Sequence, residues 1–516
     1  MTAEDRATGY AARTDTGGSA WSGSRPGAAD RKVPNWLLAA GAVAFAVSVG
    51  GFAAVVVAHP AELWSMTDLH VYLWGGRLAR RTGTPYLGGY EIFSVRLFFT
   101  YPPIAAAVFE AVSYLPVAVV KWLITGASVA SLAAVIWLSW GKLGYCRSAG
   151  RLGATLLVAA VALWLEPVQQ TLAFGQVNLV LMLIVVADLC LPDSNWLKGV
   201  GVGLAAGFKL TPLIFIPYLL LTRRYRAAAV ALGVFGLTIA ASYQLLPKAA
   251  REFWSGRLVL RVGRVGNVAY VGNQSLYGAV IRLFGSTARP SWLIAATLTG
   301  VAGLLLGAWL SRRGQELAGI LTCALTGLLV SPVSWSHHWV WVEPVLVAVT
   351  ELAVRVGAAV KSRPRLIADW VAVAAVGLAV LAVLALYIAY PFHASPGAPR
   401  LPAGLIWTVP QPALQGRRMT GYQELIGNLY VLAGVVGLAA VAVWLLAQVP
   451  RRAWRRGRAP LRGAFRLRSR GRPTARPASA ESGISSSPAA QPSTTLTERV
   501  SPSDARYRRT TADDVE

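Results

Sequence analysis

Long apolar runs separated by short polar clusters make up most of the chain. The run 36–57 contains no charged residue. Ten further apolar runs follow it, near residues 118–140, 152–167, 176–192, 197–221, 226–246, 290–311, 315–331, 338–355, 366–390 and 425–448. Because a helix needs about 20 mainly apolar residues to cross a bilayer, the pattern predicts an all-α polytopic membrane protein with about 11 to 13 transmembrane helices.

The composition agrees with this fold class and marks off the two ends of the chain. The 516 residues are 55% hydrophobic and only 14% charged, whereas a soluble protein carries about 25% charged residues. The polar composition of residues 1–33 and 451–516 predicts disorder, which leaves 34–450 as the transmembrane domain. The stretch 451–476 holds eleven arginines and no acidic residue, so it suits anionic lipid headgroups.

The net charge of +26 is explained by membrane topology, because Lys and Arg collect in cytoplasmic loops. We therefore expect membrane lipids as partners, and no nucleic acid. Basic clusters at 222–226, 311–313 and 361–365 should be cytoplasmic, together with both ends of the chain. Four segments then lie on the other face of the cell membrane, namely 58–100, 248–289, 331–338 and 391–424. The first of them should form short amphipathic helices at the membrane interface.

The pattern leaves two arrangements open between residues 100 and 222. In the first, the stretch after Tyr101 lies on the membrane surface, residues 207–212 break a re-entrant pair, and the loop 141–151 is cytoplasmic. In the second, both stretches cross the membrane and the loop 141–151 lies outside.

Asp68 is the first candidate for chemistry, because it follows the first predicted span directly. A carboxylate near the membrane boundary is costly unless it has a partner or a function, and this one could act as a general base. The alternative is that Asp68 only caps an interfacial helix. Glu62, Glu91 and Glu166 are further carboxylates near the boundary and also candidates for the base.

The turn 331–341 carries His337, His338 and three tryptophans. Adjacent histidines cannot share one helix face, so they are poor joint metal ligands, but one of them could bind a phosphate. Trp335 could line a sugar or lipid site, or the turn could be an ordinary interfacial anchor. Lys209 lies between apolar runs, so it either extends toward the interface or pairs with an anion such as a lipid phosphate.

Amides and arginines supply further candidates at the same predicted face. Gln176 with Asn178, and Asn273 with Gln274, could bind sugar hydroxyls, which need paired donors and acceptors; the alternative is helix capping. Asn273 also begins a glycosylation tripeptide, a weak signal. Three arginines in the segment 248–289 depart from the positive-inside pattern and favour anion binding. They are Arg257, Arg261 and Arg264.

Six short motifs, in this order, resemble the actinobacterial polyprenyl-phosphate-mannose-dependent α-(1→2)-mannosyltransferases of glycosyltransferase family 87, which have the GT-C fold. The resemblance covers roughly residues 36–450. The motifs are Asp68-Leu-His-Val-Tyr72, Phe99-Thr-Tyr-Pro-Pro103, Gly175-Gln-Val-Asn178, Lys209-Leu-Thr-Pro212, Asn273-Gln-Ser275 and Ser331-Pro-Val-Ser-Trp-Ser-His-His-Trp-Val-Trp341.

The resemblance implies an inverting enzyme that acts on the non-cytoplasmic face. Its donor would be a polyprenyl-phosphate sugar and its acceptor a glycolipid of the phosphatidylinositol mannoside or lipomannan type. It implies that Asp68 is the catalytic carboxylate and that His337 or His338 lies near the donor phosphate, with Lys209 and Arg264 as further phosphate ligands. His70 and Tyr101 join the four amides and Trp335 as expected substrate-binding residues.

Two other functions stay open at this point. The same family contains decaprenyl-phosphate-arabinose-dependent arabinofuranosyltransferases, so the sugar is less certain than the reaction. A lipid-linked sugar transporter would share the many spans and broken helices, although it predicts internal repeats that are not apparent here. We expect no cofactor and no metal.

Overall fold

The computed structural model describes residues 31–92, 95–256, 258, 264–285, 288–362, 367–392, 401–409, 419 and 421–448. In this part of the chain the predicted all-α fold class is confirmed. The small strands form two antiparallel hairpins, in which β1 (Tyr90–Ile92) pairs with β2 (Val95–Leu97) and β3 (Tyr390–Phe392) pairs with β4 (Leu401–Ala403).

The first half of the described chain contains eleven α-helices and one 3-10 turn. The helices are α1 (Leu37–Ala58), α2 (Pro60–Leu63), α3 (Thr67–Thr82), α4 (Pro103–Val112), α5 (Val117–Lys142), α6 (Ala149–Ala162), α7 (Glu166–Phe174), α8 (Asn178–Cys190), α9 (Val200–Phe208), α10 (Phe215–Leu221) and α11 (Tyr225–Leu245). The 3-10 turn Thr211–Ile214 directly precedes α10.

The second half of the described chain continues the helical pattern. Its helices are α12 (Pro247–Trp254), α13 (Leu276–Phe284), α14 (Arg289–Arg312), α15 (Glu316–Val330), α16 (Val342–Ser362), α17 (Ile367–Tyr387), α18 (Tyr422–Gly427) and α19 (Leu429–Gln448). Two short 3-10 helices, Ser336–Trp341 and Leu405–Thr408, lie beside the site described below.

Four of the described helices, α1, α5, α11 and α14, are long and apolar enough to cross a membrane by themselves. A fifth span is possible if α7 and α8, which meet at an angle of 116°, form one broken span. Six shorter apolar helices accompany them. The prediction of 11 to 13 spans is reached only if such short helices also cross, which the sequence pattern could not decide because it does not show where an apolar run bends.

Small residues allow α1 and α6 to pack closely side by side. A methyl group at Gly153 would overlap the backbone of Leu37 and Leu38, and one at Gly41 would overlap the backbone of Gly153. Further along both helices, the hydroxyl of Ser48 donates a hydrogen bond of 2.7 Å to the carbonyl of Ala160. The two helices are therefore parallel, and residues just before each of them lie at the same end of the bundle.

The loop 141–151 lies at the end of the bundle from which α1 begins. The backbone of Cys146 donates to the carbonyl of Arg31, and the side chains of Arg31 and Tyr145 both bind the buried carboxylate of Glu351. Helix α5 ends at this loop, so it begins at the opposite end of the bundle. The ten-residue α4 precedes α5 and stays at that opposite end, since about 15 Å of helix cannot span a bilayer. These contacts favour the first of the two predicted arrangements.

The apolar run 197–221 also folds as the first arrangement requires. Asp193 forms ion pairs with Lys198 Nζ at 2.8 Å and with Arg224 Nε at 3.0 Å, so the residues before α9 and after α10 meet. The chain enters the bundle along α9, turns at Lys209, and returns along α10. Lys209 is thus held inside the bundle at the tip of a re-entrant pair.

Candidate active site

All four segments predicted to be exterior contribute to one cavity of about 830 Å³. This volume is typical of sites that bury an organic ligand. Its polar wall includes seven side chains that lie at helix ends or in the segments between helices: Asp68, Tyr101, Gln176, Lys209, Arg264, His337 and His338. Its remaining wall is largely aromatic and includes Tyr72, Tyr86, Phe98, Phe99, Phe253, Tyr270, Trp335 and Trp407.

Asp68 is aimed into the cavity by two left-handed backbone positions that pack together. Met66, just before α3, has φ of 52°, an uncommon conformation for a non-glycine residue. Its amide is held by the carbonyl of Ala173 at 2.8 Å. Gly175 follows α7 with φ of 67°, and a methyl group there would overlap Met66 Sδ and Leu69 Cβ. The close approach of these two turns brings the start of α3 against the break between α7 and α8.

A chain of hydrogen bonds fixes the Asp68 carboxylate. Gln176 Nε2 donates to Asp68 Oδ2 at 2.6 Å, and Gln176 Oε1 accepts from the hydroxyl of Tyr101 at 3.0 Å. The Tyr72 hydroxyl lies 2.9 Å from that of Tyr101. Asp68 is the second residue of α3 rather than its cap, and no side chain caps this helix. The capping interpretation of Asp68 is therefore wrong.

The protonation of Asp68 suits a base that works near neutral pH. Burial raises the pKa of this carboxyl to about 6, while the hydrogen bond from Gln176 and the charge of Lys209 act in the opposite direction. At pH 7 most of the Asp68 side chains are therefore ionised, yet their proton affinity is higher than that of an ordinary aspartate. An efficient general base has its pKa close to the working pH.

The two histidines point to different partners. His337 Nε2 lies 3.4 Å from Gln176 Nε2, and His338 Nε2 lies 3.2 Å from Lys209 Nζ. Burial, followed by the charge of Lys209, holds the pKa of His337 well below its usual range, so this ring is neutral. Asn178 links the turn at His337 to Lys209, because its amide nitrogen donates to the His337 carbonyl at 2.8 Å and its amide oxygen accepts from Lys209 Nζ at 2.8 Å.

Arg264 lies on the wall formed by the predicted exterior segments 58–100 and 248–289. Its Nη2 donates to the carbonyl of Tyr86 at 3.0 Å, and its guanidinium lies 4.8 Å from the centre of the Phe98 ring. The cavity therefore has basic side chains from two segments, Lys209 and Arg264. Arg257 and Arg261 lie outside the described residues.

Four of the residues expected to bind substrate do not line the cavity, namely His70, Asn178, Asn273 and Gln274. His70 is two residues from Asp68, so it projects from another face of α3 and stacks on Tyr90. Asn273 and Gln274 are fully buried. Their amides join neighbouring backbone, with Asn273 Oδ1 accepting from Ser334 at 2.9 Å and Gln274 Nε2 donating to the Gly427 carbonyl at 2.8 Å.

These contacts correct the expectation for Asn273 and Gln274, whose amides join loops instead of facing a ligand. The burial of Asn273 also leaves its side chain inaccessible to glycosylation. Asn178 lies behind the polar wall, where it orients Lys209 and the turn at His337. Neither Gln176 nor Asn178 caps a helix.

Among the described residues, Asp68 is the only carboxylate that lines the cavity. Glu91 is exposed and pairs with Arg96, and Glu62 is exposed at the end of the short α2. Glu166 is buried behind the wall, where it accepts hydrogen bonds from Trp407 and Tyr430. Asp68 therefore becomes the candidate for the base.

Sequence reasoning missed several residues of the site. Tyr72 lies four residues after Asp68 in α3, so helical spacing alone places both on one face, and this signal could have identified it. Tyr270 and Trp407 come from segments without a local motif. They reach the cavity only because distant parts of the chain pack together.

The arrangement provides what a transfer from a lipid phosphate needs. One carboxylate can accept a proton, and basic or amide groups from other segments can stabilise an anion within the same cavity. Within the described ranges, no group of three His, Cys, Asp or Glu side chains has the geometry of a metal site. Fold and site together define the class as a polytopic α-helical membrane transferase.

Comparison with known proteins gives the family. The family model "Glycosyltransferase family 87" matches residues 99–332. The chain is similar to two proteins that are both named polyprenol-phosphate-mannose-dependent alpha-(1-2)-phosphatidylinositol pentamannoside mannosyltransferase. The Mycobacterium tuberculosis protein is 36% identical over 288 residues, or 55% of this chain and 66% of the relative. The Mycolicibacterium smegmatis protein is 37% identical over 290 residues, or 55% and 68%.

A second Mycobacterium tuberculosis relative, named as a polyprenol-phosphate-mannose-dependent alpha-(1-2)-phosphatidylinositol mannoside mannosyltransferase, is 35% identical over 302 residues, or 55% of this chain and 69% of the relative. The chain belongs to glycosyltransferase family 87. It spans just under two thirds of the length of the first of these relatives. No solved structure matches the chain.

Proposed function

We propose that this chain transfers mannose from a polyprenyl-phosphate donor to a phosphatidylinositol mannoside, forming an α-(1→2) linkage. The observation that carries the proposal is that one cavity brings Asp68, the one carboxylate that lines it among the described residues, together with the basic Lys209 and its neighbour His338. The names of the relatives supply the sugar and the acceptor class, and all of those described above name mannose rather than arabinose.

Asp68 acts as the general base in this proposal. It accepts the proton of the acceptor's 2-hydroxyl while that oxygen forms a bond to C1 of the donor mannose. The bond between C1 and the phosphate oxygen breaks, and its electron pair leaves with the polyprenyl phosphate. A single displacement of this kind inverts the anomeric centre, so a β-linked donor yields an α-linked product.

The leaving group needs electrostatic stabilisation more than a proton. A lipid phosphate is already a stable anion when it departs, so the two carboxylates that glycosidases use are unnecessary. Lys209 can offer a positive charge, and His338 can donate a hydrogen bond in the tautomer that carries a proton on the ring nitrogen facing the phosphate. Partial burial of both side chains strengthens these interactions, because they act in a medium of lower dielectric constant than water.

The proposal also places the reaction on the non-cytoplasmic face of the cell membrane. The cavity is built from the segments that the distribution of basic residues predicts to be exterior, and the ion pairs around Asp193 and Arg224 lie at the opposite end of the bundle. A donor and an acceptor that are both anchored in lipid could then reach the cavity from the same leaflet.

The test is a transfer assay in membranes that contain the wild-type chain or Asp68→Asn. Each receives radiolabelled polyprenyl-phosphate-mannose and a phosphatidylinositol mannoside acceptor. Label should pass to the acceptor with the wild type, and Asp68→Asn should lose at least about a hundredfold of the rate, as expected on removal of a general base. Absence of transfer by the wild type would overturn the proposal, and a parallel arm with the arabinose donor would show whether the sugar is at fault.

Folding of the variant can be checked separately. Because burial raises the pKa of Asp68 above its ordinary value, the folded chain binds this proton more tightly than the unfolded chain, and ionisation at neutral pH lowers stability. Asp68→Asn removes that ionisation, so it should unfold at the same temperature as the wild type or a higher one at pH 7.5. An inactive variant that also unfolds earlier would not support the assignment of the base.

A further inference from the structure

Three aromatic side chains form a continuous patch on the cavity wall, from three separate parts of the chain. The Tyr270 ring centre lies 6.1 Å from that of Trp335 and 5.7 Å from that of Trp407. All three rings are partly exposed and line the cavity. We call Tyr270, Trp335 and Trp407 the aromatic patch.

We propose that the aromatic patch binds the acceptor glycan and that Glu166 is the residue that positions it. This inference rests on the proposed function, and it assigns to the acceptor a site distinct from the polar wall around Asp68 and Lys209. The substrate class is an oligosaccharide of pyranose sugars.

Two glycines show that the chain is shaped around these rings. A methyl group at Gly272 would lie 2.8 Å from the Trp407 ring and 3.0 Å from the Tyr270 ring. One at Gly266 would lie 2.9 Å from the Trp335 ring. Backbone therefore packs directly against the rings, which leaves them little freedom to turn, and the rings and both glycines line the cavity together.

Glu166 holds Trp407 from behind. Its Oε1 accepts from Trp407 Nε1 at 2.7 Å, and its Oε2 accepts from the Tyr430 hydroxyl at 2.9 Å. A methyl group at Gly404 would lie 2.8 Å from Glu166 Cγ, so the backbone before Trp407 rests on the same side chain. A carboxylate with two neutral donors is a strong hydrogen-bond acceptor, and here it fixes the orientation of the indole.

The chemistry of the patch favours a sugar. The face of an aromatic ring carries partial negative charge, and the C–H groups on one face of a pyranose carry partial positive charge, so the two surfaces attract each other while the sugar hydroxyls stay free for polar groups. Rigid aromatic surfaces also bind at low cost in conformational entropy. The donor contributes one sugar next to its phosphate, whereas a mannoside acceptor continues beyond the reacting hydroxyl and needs additional wall.

The test measures affinity and turnover for the purified full chain in lipid nanodiscs. The probes are a short-chain phosphatidylinositol mannoside and, separately, polyprenyl-phosphate-mannose. Trp407→Ala should raise both the acceptor Kd and the acceptor KM roughly tenfold, as truncation of a tryptophan anchor often does, with donor KM unchanged within about twofold. Trp407→Phe keeps a ring and should recover most of the acceptor affinity.

Glu166→Gln tests the positioning role. Its amide keeps one acceptor oxygen, so we expect a rise in acceptor KM smaller than that of Trp407→Ala, with kcat at saturating acceptor within about twofold of the wild type. Trp196→Ala is the matched control, because this tryptophan is 74% exposed and lies beside Asp193, at the far end of the bundle. It should leave both affinities unchanged.

The outcomes separate this inference from the proposed function. Acceptor affinity that is unchanged in Trp407→Ala, or a rise in donor KM instead, would overturn the acceptor assignment even if transfer proceeds. If the wild type binds the mannoside through Trp407 but transfers nothing, the aromatic patch stands and the proposed reaction fails. A wild type that does not bind the mannoside overturns both.

Discussion

At the scale of single residues, the ionisation of Asp68 is controlled mainly by burial and by one amide. Gln176 is itself held in place, because its oxygen accepts from Tyr101 while its nitrogen faces the carboxylate. The ionised Asp68 carboxylate disfavours the flipped orientation, because the amide oxygen would then face it. The charged group of the polar wall that acts on this carboxyl is Lys209, and His337 beside it is neutral.

Gln176→Leu should move the acidic limb of the pH profile to higher pH. The substitution removes a hydrogen bond to the charged form of Asp68, so the pKa of this carboxyl rises further above 6. The limb of kcat/KM should shift by roughly one pH unit, the amount expected for one hydrogen bond to a charge. The measurement is the mannosyl transfer rate between pH 5 and 9 at low substrate concentration.

The matched control for this variant is Gln169→Leu. Gln169 lies on α7 and, like Gln176, is a buried amide, but its side chain has no hydrogen-bond partner among the described residues. The limb should stay near pH 6 in the control. A profile of Gln176→Leu that coincides with that of the wild type would show that Asp68 is not the group that titrates.

Residue types near the predicted membrane boundary identified much of the polar wall from sequence alone. Asp68, Gln176, Lys209 and the two histidines meet because each lies at a helix break. Asn273 and Gln274 carry the same kind of signal but hold backbone instead. An amide pattern cannot distinguish these roles, because a buried loop and a sugar need the same donors and acceptors.

At the scale of elements, the breaks in the helices decide where function lies. The run 176–192 reads as one apolar segment, yet α7 and α8 meet at 116° just before it, and the turn presents Gln176. The run 197–221 reads as one span, yet it turns at Lys209. Hydrophobic periodicity predicted these helices but not their direction. The direction of α9 and α10 depends on ion pairs of Asp193 with Lys198 and Arg224, and Arg224 is distant from Asp193 in sequence.

Asp188 stabilises the start of the re-entrant pair. Helix α9 has no cap of its own, since the preceding residue is Gly199. The Asp188 carboxylate takes that place and accepts from the backbone of Gly199 at 2.8 and 3.0 Å and of Val202 at 3.3 Å. A side-chain oxygen in this position satisfies amides that would otherwise lack partners inside the bundle.

Asp188→Ala should lower the free energy of unfolding by about 1 to 2 kcal/mol, as the loss of a helix cap does, and should also reduce turnover because Lys209 loses its support. Asp188→Asn keeps an acceptor oxygen and should lose less on both counts. The apparent unfolding temperature in detergent, followed by tryptophan fluorescence, gives the first effect, and the transfer rate gives the second. An Asp188→Ala chain as stable as the wild type would argue against this capping role.

At the scale of the whole molecule, charge and chemistry are divided between opposite ends of the bundle. One end holds the ion pairs of Glu351 with Arg31 and of Glu316 with Arg224. The other holds the cavity and the segments predicted to be exterior. The two topologies that the sequence left open differ in where they place the loops around Tyr114 and Trp196. In the first arrangement, which the contacts of Tyr145 and Asp193 favour, Tyr114 lies outside the cell and Trp196 inside. In the second arrangement the two positions are exchanged.

Cysteine labelling in intact cells tests this division. In a chain whose native Cys146, Cys190 and Cys323 are replaced by alanine, Tyr114→Cys and Trp196→Cys each introduce one thiol at a side chain that is at least 70% exposed. Because α4 remains at the end that carries the cavity, a membrane-impermeant maleimide should label position 114 from outside, and position 196 only after the cells are opened. If α4 crossed the membrane, position 196 would be labelled from outside and position 114 only after the cells are opened. The contacts of Tyr145 and Asp193 would then not support the assignment of the cavity to the outer face. The two positions therefore serve as controls for each other, since a leaky membrane labels both and a buried thiol labels at neither stage.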